Sequence, residues 1–332
     1  MRWIFLLGLF MACTTVKYAT SEHYDGSHFF NPWGVNNKKS FWDVLKWKFT
    51  TSAEKWPTEV KNPKPQILPK PTSGFNITWV NHSTFLIQTP HLNILTDPVW
   101  SERTSPFSFA GPKRIRPAGI AWEELPKIDV VVVSHNHYDH LDVASLVNLE
   151  KRDQPHFYVA LGDKNWLSKK GLTHITELDW WQVIELPHYR VTFLPAQHWS
   201  ARSLWDKNES LWGAWGIEVE GKKIYHAGDT GLGPHFKETR ERWGAPDLAL
   251  LPIGAYNPRW FMKDMHMNPE DAVEAFKQLE AREAFGMHFG TFQLTDEQWD
   301  QPEKDLRKVL ENEVEVVGKF HIPIIGMSRP YP

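Results

Sequence analysis

Four potential metal ligands lie within six residues of one another, directly after a short apolar run. His135, His137, Asp139 and His140 follow residues 129–133. Three imidazoles and a carboxylate brought together would repel one another or stay unsatisfied without a cation. Zinc binds such groups at about 2.0–2.2 Å, and the alternate spacing lets His135 and His137 hold one ion. Asp139 and His140 can then hold a second ion about 3.5–4 Å away. The pattern predicts a dinuclear metal site; the alternative is a histidine-rich polar turn.

The composition limits how such a site can be built. The chain has 332 residues, enough for one large or two ordinary domains with a sizeable core. Its 37 basic and 40 acidic side chains give a net charge of −3, which argues against a nucleic-acid partner. Cys13 is the only cysteine, so a metal site must use His, Asp and Glu.

Hydrophobic periodicity predicts the elements that position these residues. Residues 129–133 are typical of a strand buried on both faces. Further strands are predicted at residues 75–80, 84–88, 92–96, 157–160, 190–194, 215–219, 223–226, 248–251 and 284–288. Helices are predicted at residues 40–49, 141–149, 164–170, 234–243, 269–280 and 302–311. Runs of strands that then alternate with helices predict a layered α/β body with two sheets.

The N-terminus has the features of an export signal. Arg2 precedes an apolar run, residues 3–12, which is too short to span a membrane as a helix. Residues 9–13 look like a bacterial lipobox, so residues 1–12 are expected to be a signal peptide and Cys13 to be lipidated. We expect a lipid-anchored protein of the bacterial cell envelope, at the outer membrane and facing the periplasm. The alternatives are an uncleaved leader and a cytoplasmic protein.

Residues 13–73 are expected to form an N-terminal arm. The segment is rich in Lys, Trp, Pro, Asn and Ser, and its prolines exclude long regular structure after the helix predicted at residues 40–49. The arm either tethers the body to a membrane surface or packs over the body.

The motif H-x-H-x-D-H after a hydrophobic strand resembles the metallo-β-lactamase superfamily. Later positions that match the rest of its ligand set are His198, Asp229 and His288. The resemblance implies an α/β fold, an αββα sandwich with two zinc ions at one edge. It also implies which residues bind each ion: His135, His137 and His198 the first, Asp139, His140 and His288 the second, and Asp229 both.

Within that superfamily, residues 74–295 resemble the N-acylphosphatidylethanolamine-hydrolysing phospholipase D family. The shared segments include residues 96–98, 111–114, 134–142, 177–181, 197–199, 211–213 and 252–263. The resemblance implies that residues 74–330 form a hydrolase domain acting on a phospholipid at a membrane surface. The expected products are phosphatidic acid and an N-acylethanolamine. The oligomeric state is not predicted, and a homodimer is one alternative.

Four residues receive roles in the expected reaction. Asp229 and Asp139 are the expected catalytic residues, and Asp229 would bridge the ions and orient the attacking hydroxide. Tyr138 is expected to bind substrate because it lies between ligands. The resemblance implies that His266 also binds substrate; the alternative is that His266 caps the helix predicted at residues 269–280. A lactonase or carboxylic-ester hydrolase on the same site is the alternative, and a non-catalytic envelope lipoprotein is the second alternative.

Some neighbouring residues have two interpretations each. Asp97 either fixes a ligand imidazole or caps a strand end, and His82 is expected to support the site rather than to bind metal. The basic residues of 113–116 either meet phosphate headgroups or form a solvated loop. The tryptophans of 199–215 either form a lip for acyl chains or pack between loop and sheet.

Overall fold

Two mixed seven-stranded sheets form the body of the protein in a computed structural model that describes residues 18–35 and 39–332. In spatial order, the first sheet contains β14 (Ser328–Tyr331), β1 (Phe75–Asn81), β2 (Thr84–Gln88), β3 (Asn93–Thr96), β4 (Val130–Val132), β5 (His156–Ala160) and β6 (Ile175–Leu178). The second contains β13 (Phe320–His321), β12 (Glu283–Met287), β11 (Leu248–Pro252), β10 (Lys222–His226), β9 (Ala214–Val219), β8 (Tyr189–Leu194) and β7 (Val183–Leu186).

The helices lie on the outer faces of the two sheets and in the connecting segments. Their bounds are α1 (Phe41–Thr50), α2 (Val143–Asp153), α3 (Lys164–Ser168), α4 (His235–Arg242), α5 (Arg259–Met262), α6 (Pro269–Leu279) and α7 (Gln301–Glu311). Leu146 of α2 and Leu167 of α3 belong to the apolar cluster of the first sheet, and Phe236 of α4 and Phe276 of α6 to that of the second. The predicted αββα sandwich is confirmed.

Strand β4 shows how the first sheet is buried on both faces. Val130 and Val132 belong to the larger cluster, which contains the apolar side chains of the second sheet. Val131 and Val133 belong to the cluster under α2 and α3. Successive side chains of a strand point to opposite faces, so this uninterrupted apolar run suits a central strand between two layers.

The predicted helices and central strands are observed within a few residues of their expected bounds. Four strands were not predicted, and all lie at the edges of the sheets: β6, β7, β13 and β14. Their hydrophobic patterns are weak because the neighbouring layers cover an edge strand less completely. Strand β7 has no buried residue, β13 has two residues, and β14 contains Pro330.

The described part of the N-terminal arm packs over the body, which is one of its two predicted arrangements. Tyr24 and Phe29 belong to the larger apolar cluster. Asn31 Nδ2 donates to the backbone oxygen of His198 at 3.0 Å. The predicted signal peptide and Cys13 lie outside the described residues. Within the described ranges, no helix is long and apolar enough to cross a membrane.

Candidate metal centre

All seven predicted ligands lie on loops that follow the ends of strands. The motif with His135 follows β4, and His198 follows β8. Asp229 follows β10, and His288 comes directly after β12. The two sheets therefore bring four separate segments of the chain to one edge of the sandwich.

The first group of potential ligand atoms, which we call the histidine cluster, contains His135, His137, His198 and Asp229. His137 Nδ1 lies 2.8 Å from His135 Nε2 and 3.2 Å from His198 Nε2. Asp229 Oδ2 lies 4.0 Å from His135 Nε2 and 3.9 Å from His198 Nε2. One atom from each residue lies within 4.8 Å of the others, which is close enough for one metal ion.

The second group, which we call the carboxylate cluster, contains His82, Asp139, His140 and His288. Asp139 Oδ2 lies 2.9 Å from His82 Nε2, 3.2 Å from His288 Nε2 and 3.5 Å from His140 Nε2. The sequence predicted three of these as ligands of a second ion. His82 was expected only to support the site, yet its imidazole contacts the same carboxylate oxygen as the predicted ligands.

Asp229 lies between the two clusters. Its Oδ2 is 3.0 Å from His288 Nε2 and 3.2 Å from His140 Nε2, in addition to its contacts with the histidine cluster. One carboxylate oxygen thus faces both groups, which is an arrangement that a bridging ligand can use.

Electrostatics differ between the clusters. Burial alone would raise the pKa of the Asp139 and Asp229 carboxyls, but the adjacent His140 lowers both well below their usual value. Burial would also lower the pKa of His288, yet Asp229 and Asp139 raise it to about 9. The carboxylate cluster is therefore a site for positive charge, which protons or a metal cation can supply.

The imidazoles of the histidine cluster are held in their neutral form. Burial lowers the pKa of His137 to about 4 and the pKa values of His135 and His198 well below their usual range. A neutral imidazole offers the nitrogen lone pair that a metal requires, so these residues are ready to bind at neutral pH.

The donor set fits a pair of divalent transition-metal ions. Nε2 of His140 faces Asp229 Oδ2 at 3.2 Å, is buried and has no hydrogen-bond partner among the described residues. Because a buried polar atom normally finds a partner, this nitrogen points to a cation at the clusters. Imidazole and carboxylate ligands suit zinc and related ions rather than calcium or magnesium.

A layer of hydrogen bonds orients the ligands. Asp97 Oδ2 accepts from His140 Nδ1 at 2.7 Å, from His226 Nε2 at 3.0 Å and from Ser134 Oγ at 2.8 Å. His198 Nδ1 lies 3.0 Å from the backbone oxygen of Met265. Such contacts fix the ring and leave Nε2 for the metal. Of the two interpretations of Asp97, the structure shows the one in which it fixes the imidazole of a predicted ligand, His140.

Gly228 allows the segment with Asp229 to approach the metal-binding loop closely. Its φ is +58°, and a Cβ atom there would lie 2.6 Å from Ser134 Cβ. A side chain at this position would push apart the loops that carry Asp229 and His135.

The two predicted substrate residues, His266 and Tyr138, have different surroundings in the structure. The His266 imidazole borders both clusters, with Nδ1 3.9 Å from Asp229 Oδ2 and its ring centre 5.1 Å from that of His198. The hydroxyl of Tyr138 donates to the backbone oxygen of Arg202 at 2.7 Å. That donor is already used, so contact between Tyr138 and a phosphate would have to replace this bond.

Two supporting residues were missed from the sequence. Arg202 Nη1 donates to the backbone oxygens of Asn136 and Leu141, at 2.7 and 2.9 Å, and so holds both ends of the metal-binding turn. His226 contacts Asp97, although 129 positions separate them. His226 had a local signal, because it stands at the strand end before Asp229; Arg202 had none.

Side-chain placement also tests the interpretations of the basic residues of 113–116 and of the tryptophans of 199–215. Arg114 is largely buried and donates to the backbone oxygens of Ser101 and Val99, and Lys113 pairs with Glu102 at 2.7 Å. Neither headgroup contact nor a solvated loop describes Arg114. Among the tryptophans, Trp205 is exposed, whereas Trp212 and Trp215 are core residues.

Comparisons with known proteins identify the family of the chain. Residues 92–289 match the family described as the Beta-lactamase superfamily domain. N-acyl-phosphatidylethanolamine-hydrolyzing phospholipase D 1 of Caenorhabditis elegans is 42% identical over 253 residues, which cover 72% of this chain and 70% of that protein. The mitochondrial enzyme of the same name from Saccharomyces cerevisiae is 39% identical over 70% of this chain and 51% of its own length.

The fold is also shared with solved structures. Igni18, a metallo hydrolase from Ignicoccus hospitalis, has a TM-score of 0.60 and 25% identity over 78% of this chain and 99% of its own. A protein of Veillonella parvula, described as a possible metal-dependent hydrolase, has a TM-score of 0.64 at 16% identity, covering 78% of this chain and 100% of its own, and shows the fold alone. The chain is a metal-dependent hydrolase of the metallo-β-lactamase superfamily and belongs, within it, to the family of N-acylphosphatidylethanolamine-hydrolysing phospholipases D.

Proposed function

We propose that this protein is a zinc-dependent phosphodiesterase that hydrolyses N-acylphosphatidylethanolamine-like glycerophospholipids to phosphatidic acid and N-acylethanolamine. The observation that supports this most is the position of Asp229, whose Oδ2 faces both clusters at 3.0–4.0 Å. Two-metal sites of this kind suit the displacement of one oxygen by another at phosphorus. A relative named for this reaction is 42% identical.

The chain's own residues would divide the work as follows. Two zinc ions, when bound, supply a nucleophile at neutral pH and neutralise charge on the phosphate. The histidine cluster would hold one ion through neutral imidazoles, and the carboxylate cluster would hold the other. Asp229 and Asp139 are the proposed catalytic residues: Asp229 would contribute to both sites and orient the attacking oxygen, and Asp139 would balance the charge of the second ion. His266, which borders both clusters, is the proposed contact to the substrate phosphate.

Hydrolysis in isotopically heavy water tests the bond that breaks. Attack at phosphorus puts the heavy oxygen on phosphatidic acid, which product mass reveals. Label on a released fatty acid would instead favour a carboxylic-ester hydrolase, and label on N-acylethanolamine would mean cleavage of the carbon–oxygen bond. The same preparation is expected to contain about two zinc ions per chain by elemental analysis.

We also propose that the protein is held at the bacterial outer membrane through a lipid on Cys13, facing the periplasm and its phospholipid substrate. The support is the lipobox-like sequence of residues 9–13. Cell fractionation of the Cys13→Ser variant tests this location. If the variant stays in the same membrane fraction at its unprocessed mass, the lipid anchor is wrong. Light scattering of the purified protein distinguishes a monomer from a homodimer.

A further inference from the structure

An exposed surface of aromatic and basic side chains lies on α1 and α5. Trp42, Lys46 and Phe49 are spaced by four and three residues, so they share one face of α1. Trp42 is 74% exposed and Phe49 84% exposed. Lys46 Nζ lies 4.8 Å from the ring centre of Trp260 on α5, which is itself 42% exposed. We call these four residues the α1–α5 patch.

The patch is joined firmly to the body and to the metal centre. On the inner side of α1, Trp47 is buried, and its Nε1 donates to Asp296 Oδ2 at 2.7 Å. Its ring centre lies 4.9 Å from that of Phe261, the residue after Trp260. Arg259, which begins α5, donates through Nη1 to the backbone oxygen of His266 at 2.9 Å. A surface bound by the patch would therefore lie beside the residue that borders both clusters.

The charge of these segments is complementary to an anionic surface. Residues 39–50 and 259–264 together carry four lysines and one arginine against two aspartates, and the arginine, Arg259, pairs with Asp271 at 2.5 Å, so the excess rests on the lysines. A short helix that presents large aromatic side chains among lysines is typical of helices that lie in a membrane interface. The lysine stems can cover apolar surface while their ammonium groups meet lipid phosphates.

We propose that the α1–α5 patch docks on an anionic phospholipid bilayer and holds the metal centre at the membrane surface. This rests on the proposed function in one respect, namely that the substrate of the site is a membrane lipid. The aromatic side chains insert among the headgroups, and Lys46 contributes attraction that depends on lipid charge and on salt.

Vesicle binding by the full chain tests the proposal, with Cys13→Ser present throughout so that no lipid on that residue contributes. Vesicles contain phosphatidylethanolamine with phosphatidylglycerol, or neutral phosphatidylcholine alone. The parent is expected to sediment with the anionic vesicles. The Phe49→Asp variant is expected to bind these vesicles at least about tenfold more weakly than the parent. Lys46→Glu is expected to weaken binding to anionic vesicles more than to neutral ones. Val314→Asp is the matched control, because Val314 is also 84% exposed but follows α7.

Turnover of bis(p-nitrophenyl) phosphate, a soluble phosphodiester, separates docking from catalysis. Phe49→Asp is expected to keep that turnover while losing hydrolysis of vesicle lipid. Equal vesicle binding by the parent, Phe49→Asp and Trp260→Ser overturns the docking surface, even where vesicle lipid is still hydrolysed. A change from dimer to monomer in Phe49→Asp with unchanged vesicle binding also overturns it, because the patch would then be an interface between copies. Patch-dependent binding without hydrolysis of any vesicle phospholipid would instead contradict the proposed substrate and leave the docking surface standing.

Discussion

The carboxylates of the metal centre and the carboxylate of Asp163 are all buried, but their surroundings differ. Asp97, Asp139 and Asp229 each contact two or more imidazoles at about the distance of a hydrogen bond or ion pair. Asp163 accepts a long hydrogen bond from Asn136 Nδ2, at 3.4 Å. Its Oδ2 is buried without a hydrogen-bond partner among the residues that the structure describes.

The difference shows what a buried carboxylate requires. Burial raises the pKa in both regions, because a charged group loses its water. At Asp229 the adjacent His140 and His288 outweigh burial and hold the pKa well below its usual range. At Asp163 burial prevails over the attraction of Arg202, and the pKa rises to about 7. The carboxylates of the metal centre are thus arranged to hold positive charge beside them. The carboxylate of Asp163 has no such arrangement around it.

The largest effect is expected from Asp229→Asn, which removes the charge that both clusters share. The variant should lose metal from both clusters. Its loss of activity should exceed the 10–100-fold that is typical when a residue that only orients a metal ligand is replaced. Elemental analysis and hydrolysis of vesicle lipid measure the two losses. A variant that retains both metals and its activity would show that Asp229 does not join the clusters.

A smaller but clear effect is expected from Asp97→Asn. This carboxylate accepts from His140 and His226 and binds no metal in the proposed arrangement, so the variant should lose about 10–100-fold in metal affinity or activity. A metal titration followed by activity measures it. The same change at Asp163, outside the metal centre, is the control. Equal losses in both variants would mean that burial of a carboxylate, rather than orientation of His140, decides the effect.

The sequence indicated the candidate metal ligands better than the residues that hold their loops in place, and the reason is physical. His135, His137, Asp139 and His140 form a local pattern, and a strand must end where so many polar groups follow an apolar run. Contacts such as Arg202 with the Asn136 backbone join loops that are distant in the chain. Nothing in the local sequence around Arg202 indicates that contact.

The fold shows the same division between local and distant information. Strand β4 was predicted because its burial on both faces leaves a continuous apolar run. Strand β7, by contrast, contains the exposed Val183 and Leu186 at the edge of its sheet. Its place is set by pairing with β8 and not by its own burial pattern.

Arg202→Met is expected to weaken the metal centre moderately by loosening its loop. Methionine keeps the apolar stem but loses the two hydrogen bonds to the turn that carries the ligands. A hydrogen bond from a charged group contributes about 1.5–3 kcal/mol to stability. Metal affinity should fall severalfold and the melting temperature should drop. Arg307→Met, at an exposed ion pair with Glu303 on α7, is the control and should be near neutral. A melting temperature that drops while metal affinity stays unchanged would make Arg202 a structural residue only.

The smallest effect on activity is expected from Asp163→Asn, which instead changes how stability depends on pH. The folded pKa of Asp163, about 7, lies above its ordinary value of 3.8. Between these values the folded protein holds a proton that the unfolded chain has lost. The free energy of unfolding therefore falls as the pH rises through this window, by an amount on the order of 1–4 kcal/mol. Asparagine cannot ionise, so this part of the pH dependence should disappear.

Denaturant unfolding of the parent and of Asp163→Asn, between pH 5 and pH 8, measures that difference. The variant's stability relative to the parent should rise with pH, and metal content should stay at the parent's level because Asp163 touches no proposed ligand. A difference that is constant with pH would mean that Asp163 stays ionised in the folded protein throughout. In that case burial does not prevail at Asp163, and Arg202 would compensate its charge as the imidazoles compensate Asp229.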